Sequence, residues 1–148
     1  MQIKIDGKDY KIKFGYKPTL KEHVISKIVK FSGMSDENGD VDREKLEELL
    51  LYLPEILLVG LQVHHEDFRY DYDTKDGKDE QMDKAFDLIE KYTESGDSDV
   101  MDLFNGLQEA LLEDSFLANM FRKEKAKAEK KAKAEKKAEQ KAEPDSEN

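Results

Sequence analysis

The sequence predicts a mainly α fold, in which an N-terminal β-hairpin packs on a bundle of about five helices and a solvated Lys/Ala/Glu helical tail follows. Apolar residues alternate with period two at the start of the chain and recur at helical spacing through its middle. Large apolar side chains end at Phe121. We therefore expect an acidic, mostly helical body at residues 1–121 and a charged low-complexity tail, helical or disordered, at residues 122–148.

The hairpin is predicted by two arms that flank Asp6-Gly7, a pair that tolerates the positive φ angles of a tight turn. Every second residue of the arms is apolar: Ile3, Ile5, Tyr10, Ile12 and Phe14. A two-stranded hairpin is not stable alone, so we expect it to lie on the helices.

The first helix is predicted to begin at Thr19, because Thr19 and Glu22 have the spacing of a capping box. Its expected core-facing stripe is Leu20, Val24, Ile25, Ile28 and Phe31.

A leucine-rich helix is expected from about Arg43, and Pro54 interrupts it. Proline lacks a backbone donor and clashes with the preceding turn, so we expect a break or a strong kink there. The segment 55–63 is apolar almost all round and is predicted to be the central core helix.

The segment 66–81 is polar and acidic and is predicted to be a loop, with one candidate strand at residues 68–72. Helical spacing resumes at Met82, and a last helix, capped near Asp99, is expected to break near Asp114-Ser115.

The tail repeats Ala-Lys-Ala-Glu-Lys-Lys at residues 126–131 and 132–137. A period of six without large apolar residues excludes a coiled coil, whereas Ala, Lys and Glu are strong helix formers. Arg122 to Glu143 contain ten Lys or Arg against five Glu, and residues 144–148 add two acids. The whole chain has a formal net charge of −10, so the body carries −13.

No catalytic residue, metal ligand or cofactor site is predicted, and we do not expect an enzyme. The segment 36–42 resembles a calcium loop, but Met34 and Lys45 would occupy positions that need carboxylates, so a helix-capping turn is the default interpretation.

His64 and His65 are adjacent and point about 100° apart on a helix, which does not suit one metal ion. The chain has no cysteine.

No apolar stretch approaches the roughly 18–20 residues that span a membrane, and the N-terminus lacks a signal-peptide core. We therefore expect a soluble intracellular protein without a membrane partner.

One apolar cluster falls at the end of the body, and we predict that it binds a partner together with the adjoining basic turn. The predicted residues are Phe116, Met120, Phe121, Arg122 and Lys123. The competing interpretation is that the apolar members close the core.

Four segments, in order, resemble tail assembly chaperones of long-tailed (siphovirus-type) phages and prophages of Gram-positive bacteria. They are Ile3 to Tyr16 (IKIDGKDYKIKFGY), Leu53 to Gln62 (LPEILLVGLQ), Tyr70 to Thr74 (YDYDT) and Met82 to Glu90 (MDKAFDLIE). The resemblance covers roughly residues 1–121 and is one of pattern and order.

The resemblance implies a mostly helical, non-enzymatic protein in the cytoplasm of the bacterial host, absent from the mature virion. Its expected partner is the tape measure protein, a very long helical chain with apolar stripes. The tail tube protein is a second expected partner, and self-association is a further expectation. The family also has a short form and a frameshifted longer form. Glu129-Lys130-Lys131 and Glu135-Lys136-Lys137 can each be encoded by a slippery A-AAA-AAG run, which the gene sequence would test.

Two other classes of function stay open at this point. A nucleic-acid- or ribosome-associated accessory protein would use the tail as a basic arm, although the acidic body and the interleaved glutamates make nucleic acid an unlikely partner. Steep salt-dependent binding that is lost on deleting residues 122–148 would identify that class. A calcium-responsive helical adaptor would change its stability or shape with calcium.

Overall fold

The computed structural model describes residues 1–32, 42–95, 99–123 and 127–132. Within these ranges the protein is mostly helical and contains one two-stranded antiparallel sheet, which confirms the predicted fold class. The described tail residues 122–123 and 127–132 are helical and exposed. The remainder of the predicted tail, and the calcium-like segment up to residue 41, lie outside the described residues.

The sheet is the predicted hairpin. Strands β1 (Gln2–Ile5) and β2 (Lys8–Lys11) pair antiparallel, with Ile3 opposite Tyr10. Asp6 and Gly7 both have positive φ, 52° and 79°, as a two-residue primed turn requires. The apolar face of the hairpin is buried, as its alternation predicts.

The chain just after β2 forms a backbone hydrogen bond with the central helix. The Lys13 amide donates to the carbonyl of Gly60 at 2.9 Å. A β-carbon added to Gly60 would lie 2.7 Å from Cγ2 of buried Ile12, so this helix position accommodates only glycine without a shift of its neighbours. The hairpin and the helix therefore share one core.

The predicted start of the first helix is wrong. Helix α1 (Tyr16–Lys21) begins three residues before Thr19, which is fully buried, and no side chain caps it. Pro18 lies in its first turn, where a missing amide hydrogen costs nothing. The chain then bends at His23 (φ 55°) into helix α2 (Val24–Phe31). This bend leaves Leu20 exposed, whereas the rest of the predicted stripe faces the core.

Of the two alternatives predicted at Pro54, a break and a strong kink, the break is wrong. Helix α3 (Arg43–Leu61) runs through Pro54 as one element of 19 residues, with Asp42 accepting a hydrogen bond from the Glu44 amide at 3.1 Å. An internal proline costs a helix about 3 kcal/mol. The core-facing side chains of residues 56–61 are buried, and this burial offsets the cost. This segment is the central core helix, as predicted.

The segment after α3 forms a 3-10 turn (Glu66–Phe68) and an irregular loop, and the candidate strand at residues 68–72 is absent from it. Buried Gln62 holds this loop: its side chain donates to the Phe68 carbonyl at 3.2 Å and accepts from the Tyr72 hydroxyl at 2.5 Å. The loop ends earlier than predicted, at Lys78.

Helix α4 (Lys78–Glu94) and helix α5 (Val100–Glu113) complete the bundle. The predicted cap of α5 is confirmed at Asp99, which forms a capping box with Asp102. Helix α3 contacts α2, α4 and α5, and β1 contacts α4. The core therefore surrounds α3, and both the hairpin and α5 contribute buried side chains to it.

Candidate partner-binding surface

The end of the body is positioned by a bend after α5, which confirms the break predicted near Asp114-Ser115. The Ser115 hydroxyl donates to the carbonyl of Leu111 and accepts from the amide of Leu117 at 3.1 Å. Leu117 is buried, and the chain turns helical again at residues 118–123. Leu117 and its buried neighbour Ala118 therefore anchor this short segment, whereas Met120 and Phe121 are exposed.

Phe116 lies between core and surface. It is partly buried against the core, and its ring contacts the Tyr16 ring edge-on, with centroids 5.0 Å apart and planes at 65°. Tyr16 opens α1, so this contact joins two elements separated by about 100 residues of sequence.

Phe116 and three exposed apolar side chains form what we call the terminal apolar patch: Tyr16, Leu20, Phe116 and Met120. Tyr16 is 68% exposed, Leu20 42% and Met120 59%. Leu20 lies one helical turn after Tyr16, and Met120 lies four residues after Phe116, so the two pairs form two short rows. Core packing explains none of the three exposed members.

Phe121 belongs to a neighbouring surface. Its ring, 43% exposed, borders an open pocket of about 460 Å³. The lining residues are Leu112, Glu113, Ala118, Phe121 and Arg122. The predicted partner-binding residues are therefore divided between two surfaces. Phe116 contacts Tyr16, whereas Phe121 and Arg122 line the pocket. Met120 and Lys123 are exposed.

Cationic side chains border both surfaces. Lys17 and Lys21, each one position after a patch member on α1, lie 3.6 and 3.0 Å from the carboxylate of Asp73. The hydrogen bond from Lys21 and the charge of Lys17 lower the pKa of Asp73 below its ordinary value. Two ammonium groups thus share one carboxylate. Arg122 and Lys123 are exposed and make no ion pair with another described residue.

Tyr16 and Leu20 were missed by sequence analysis. Tyr16 falls in a Gly-Tyr-Lys-Pro stretch that is typical of a connector, and Leu20 fits the stripe of a continuous helix. Pro18 was the available signal, because proline is favoured in the first turn of a helix. A helix that begins at Tyr16 exposes both side chains on one face.

A second group of charged residues is centred on the buried carboxylate of Glu22. We call it the buried ion cluster, and its members are Glu22, Glu55, Lys27, Lys75 and Lys78. The Glu22 carboxylate is 2% exposed and accepts from Lys75 and, at 2.5 Å, from Lys78. Lys78 and Lys27 reach Glu55 at 2.9 and 2.7 Å. The cluster joins the α1–α2 junction to α3 and to the start of α4.

These partners determine the charge state of the cluster. Burial raises the pKa of Glu22, but the hydrogen bonds from Lys75 and Lys78 lower it more, so that its pKa falls from 4.5 to about 2. Burial lowers the pKa of Lys78, and the bonds to Glu22 and Glu55 outweigh this and raise it. Glu22 and Lys78 are therefore charged near neutral pH, and all five side chains of the cluster are ion-paired, which suits a structural clamp.

The remaining polar candidates do not form a site in the described part of the chain. The ring nitrogen Nε2 of His65 accepts the Lys11 amide at 3.2 Å. The described residues contain no group of three or more His, Asp or Glu side chains placed to hold a metal ion. No helix among them is long and apolar enough to cross a membrane.

Comparisons with models of protein families, with curated proteins and with solved structures found no match to this chain.

Proposed function

We propose that this protein is a tail assembly chaperone of a long-tailed phage or prophage, which binds the tape measure protein and keeps it soluble while the tail tube assembles. It works without catalysis, in the cytoplasm of the bacterial host, and is not part of the mature virion. The observation that carries the proposal is the terminal apolar patch, exposed on a strongly acidic body.

The chemistry of this patch suits a chaperone of an elongated apolar chain. Exposed apolar side chains that are rimmed by charge mark interaction surfaces in soluble proteins. A net charge far from zero makes protein molecules repel one another, which keeps the protein and its complexes soluble. A long helical client with apolar stripes would aggregate before the tail tube encloses it. The chaperone would cover part of an apolar stripe and give the complex a net negative charge.

Capture of the tape measure protein encoded beside this gene tests the proposal. Tagged wild-type protein should retain it, and Met120→Asp with Phe121→Asp should lose most of that capture, because each carboxylate would need to be desolvated at the contact. The control is Val29→Asp with Leu51→Asp. Val29 and Leu51 are 64% and 60% exposed on α2 and α3 and are not members of the terminal apolar patch. No capture by the wild-type protein would overturn the proposed function.

The neighbouring genes provide an independent test. We expect a tail tube gene upstream and a very long tape measure gene downstream. A locus without a tape measure gene would contradict the proposal.

A further inference from the structure

We infer that the terminal apolar patch selects amphipathic helices whose apolar stripe is bordered by acidic side chains, even though the protein as a whole is acidic. The inference rests on the proposed function in taking the client to be a helix, and it adds the chemistry by which that client is recognised.

The charges at the patch are opposite in sign to those of the body. Lys17 and Lys21 directly follow patch members in sequence, and Arg122 and Lys123 follow Met120 by two and three residues. Among the described residues, two carboxylates lie near these cations. Lys17 and Lys21 share Asp73, and Glu113 lines the same pocket as Arg122. The edge of the patch is therefore net positive on a body of net charge −13. Local charge complementarity favours an acidic border on the partner.

The arrangement of the patch favours a helix as the partner. The members of each of its two rows, Tyr16 with Leu20 and Phe116 with Met120, are four residues apart, a spacing of about 6 Å along a helix. The apolar residues of an amphipathic helix recur at that same interval. The two rows meet where the rings of Tyr16 and Phe116 are in contact. A ridge of a third helix can pack along them.

The size of the patch argues against a second copy of this chain as the occupant. Its exposed apolar surface is on the order of 300 Å². A stable dimer buries about 800 Å² on each partner. An area of this size suits a weak, reversible contact with a single helix.

Two designed peptides test the inference with the full-length protein. Both are helices of about six turns with the same leucine stripe at i, i+3, i+4 and i+7 spacing. One has glutamate and the other lysine at the positions that border the stripe. Binding is measured by fluorescence anisotropy at low and at physiological salt.

The wild-type protein should bind the glutamate-bordered peptide about tenfold more tightly, with a preference that weakens as salt rises. Arg122→Glu with Lys123→Glu should abolish or reverse the preference. Tyr16→Asp with Met120→Asp should weaken the binding of both peptides, because this change removes the shared apolar contact. Val29→Asp with Leu51→Asp should change neither affinity nor preference.

Equal affinity for the two peptides would overturn the inference. So would tighter binding of the lysine-bordered peptide, which is the result expected if the overall charge of −10 controlled binding. A glutamate preference that persists in the Arg122/Lys123 variant would also overturn it. If the tape measure protein is captured while the peptide preference is absent, the proposed function stands and this inference fails. If the preference is present but no tape measure protein is captured, the function fails and the recognition chemistry stands.

Discussion

At the scale of single residues, Gly60 determines how closely the hairpin approaches the central helix. The absent side chain leaves room for the methyl group of Ile12 and the ring of Phe14. Glycine weakens a helix by roughly 1 kcal/mol relative to alanine. At Gly60, steric contact outweighs this helix preference.

We predict that Gly60→Ala lowers the free energy of unfolding by about 1–3 kcal/mol, because Ile12 and Phe14 are buried and must shift. Gly106→Ala in α5 is the matched control. Its new methyl group meets only the flexible end of the Met1 side chain, so we expect a change near zero or a small gain. Urea unfolding measures both variants. A Gly60→Ala protein as stable as the control variant would refute the close contact.

Glu22 gives a prediction with a defined pH dependence. Its folded-state pKa of about 2 lies below its ordinary value of 4.5, so its stabilising effect is fully present above about pH 4.5. That effect is lost as the pH falls from there toward 2. Glu22→Gln should cost about 3 kcal/mol near pH 7, because Lys75 and Lys78 lose their carboxylate, and less near pH 3.

Glu48→Gln is the control for Glu22, because it breaks the exposed pair between Glu48 and Lys30 and should cost less than about 1 kcal/mol. The measurement is urea unfolding of each protein at both pH values. A Glu22→Gln deficit that stays constant on acidification would contradict the assigned role of the buried ion cluster.

At the scale of elements, the contact of Tyr16 with Phe116 couples α1 to the segment after α5. A double-mutant cycle with Tyr16→Ala and Phe116→Ala should give a coupling of about 0.5–1.5 kcal/mol in the free energy of unfolding. Tyr16→Ala combined with Val29→Ala should be additive, since the two exposed side chains lie on different helices. A coupling of zero between Tyr16 and Phe116 would show that the two rows of the patch are not joined.

The elements also show what the sequence could predict. Local chemistry determines the hairpin turn at Asp6-Gly7 and the cap at Asp99, and both were predictable. Tertiary packing decides the continuity of α3 through Pro54, because burial of the following turns outweighs a local cost. Half of the candidate surface could be predicted, from the apolar run at residues 116–121. The other half, Tyr16 and Leu20, depends on a chain bend at His23 that sequence periodicity does not reveal.

At the scale of the whole molecule, an exposed apolar patch is combined with a strongly acidic body. The body is acidic, and its exposed apolar patch lies where the first helix meets the last segment, next to a basic turn. A chaperone with this distribution would hold a client at one end and present negative charge elsewhere. Each bound copy would then repel its neighbours' bodies and limit aggregation of the client.

The most direct test of the central claim is the soluble fraction of the tape measure protein when it is produced together with this protein. Wild-type protein and the Val29→Asp/Leu51→Asp variant should raise that fraction to the same extent. The Tyr16→Asp/Met120→Asp variant, with an unchanged circular dichroism spectrum, should leave it at the level found without chaperone. A patch variant that solubilises the tape measure protein as well as the wild type would contradict the account.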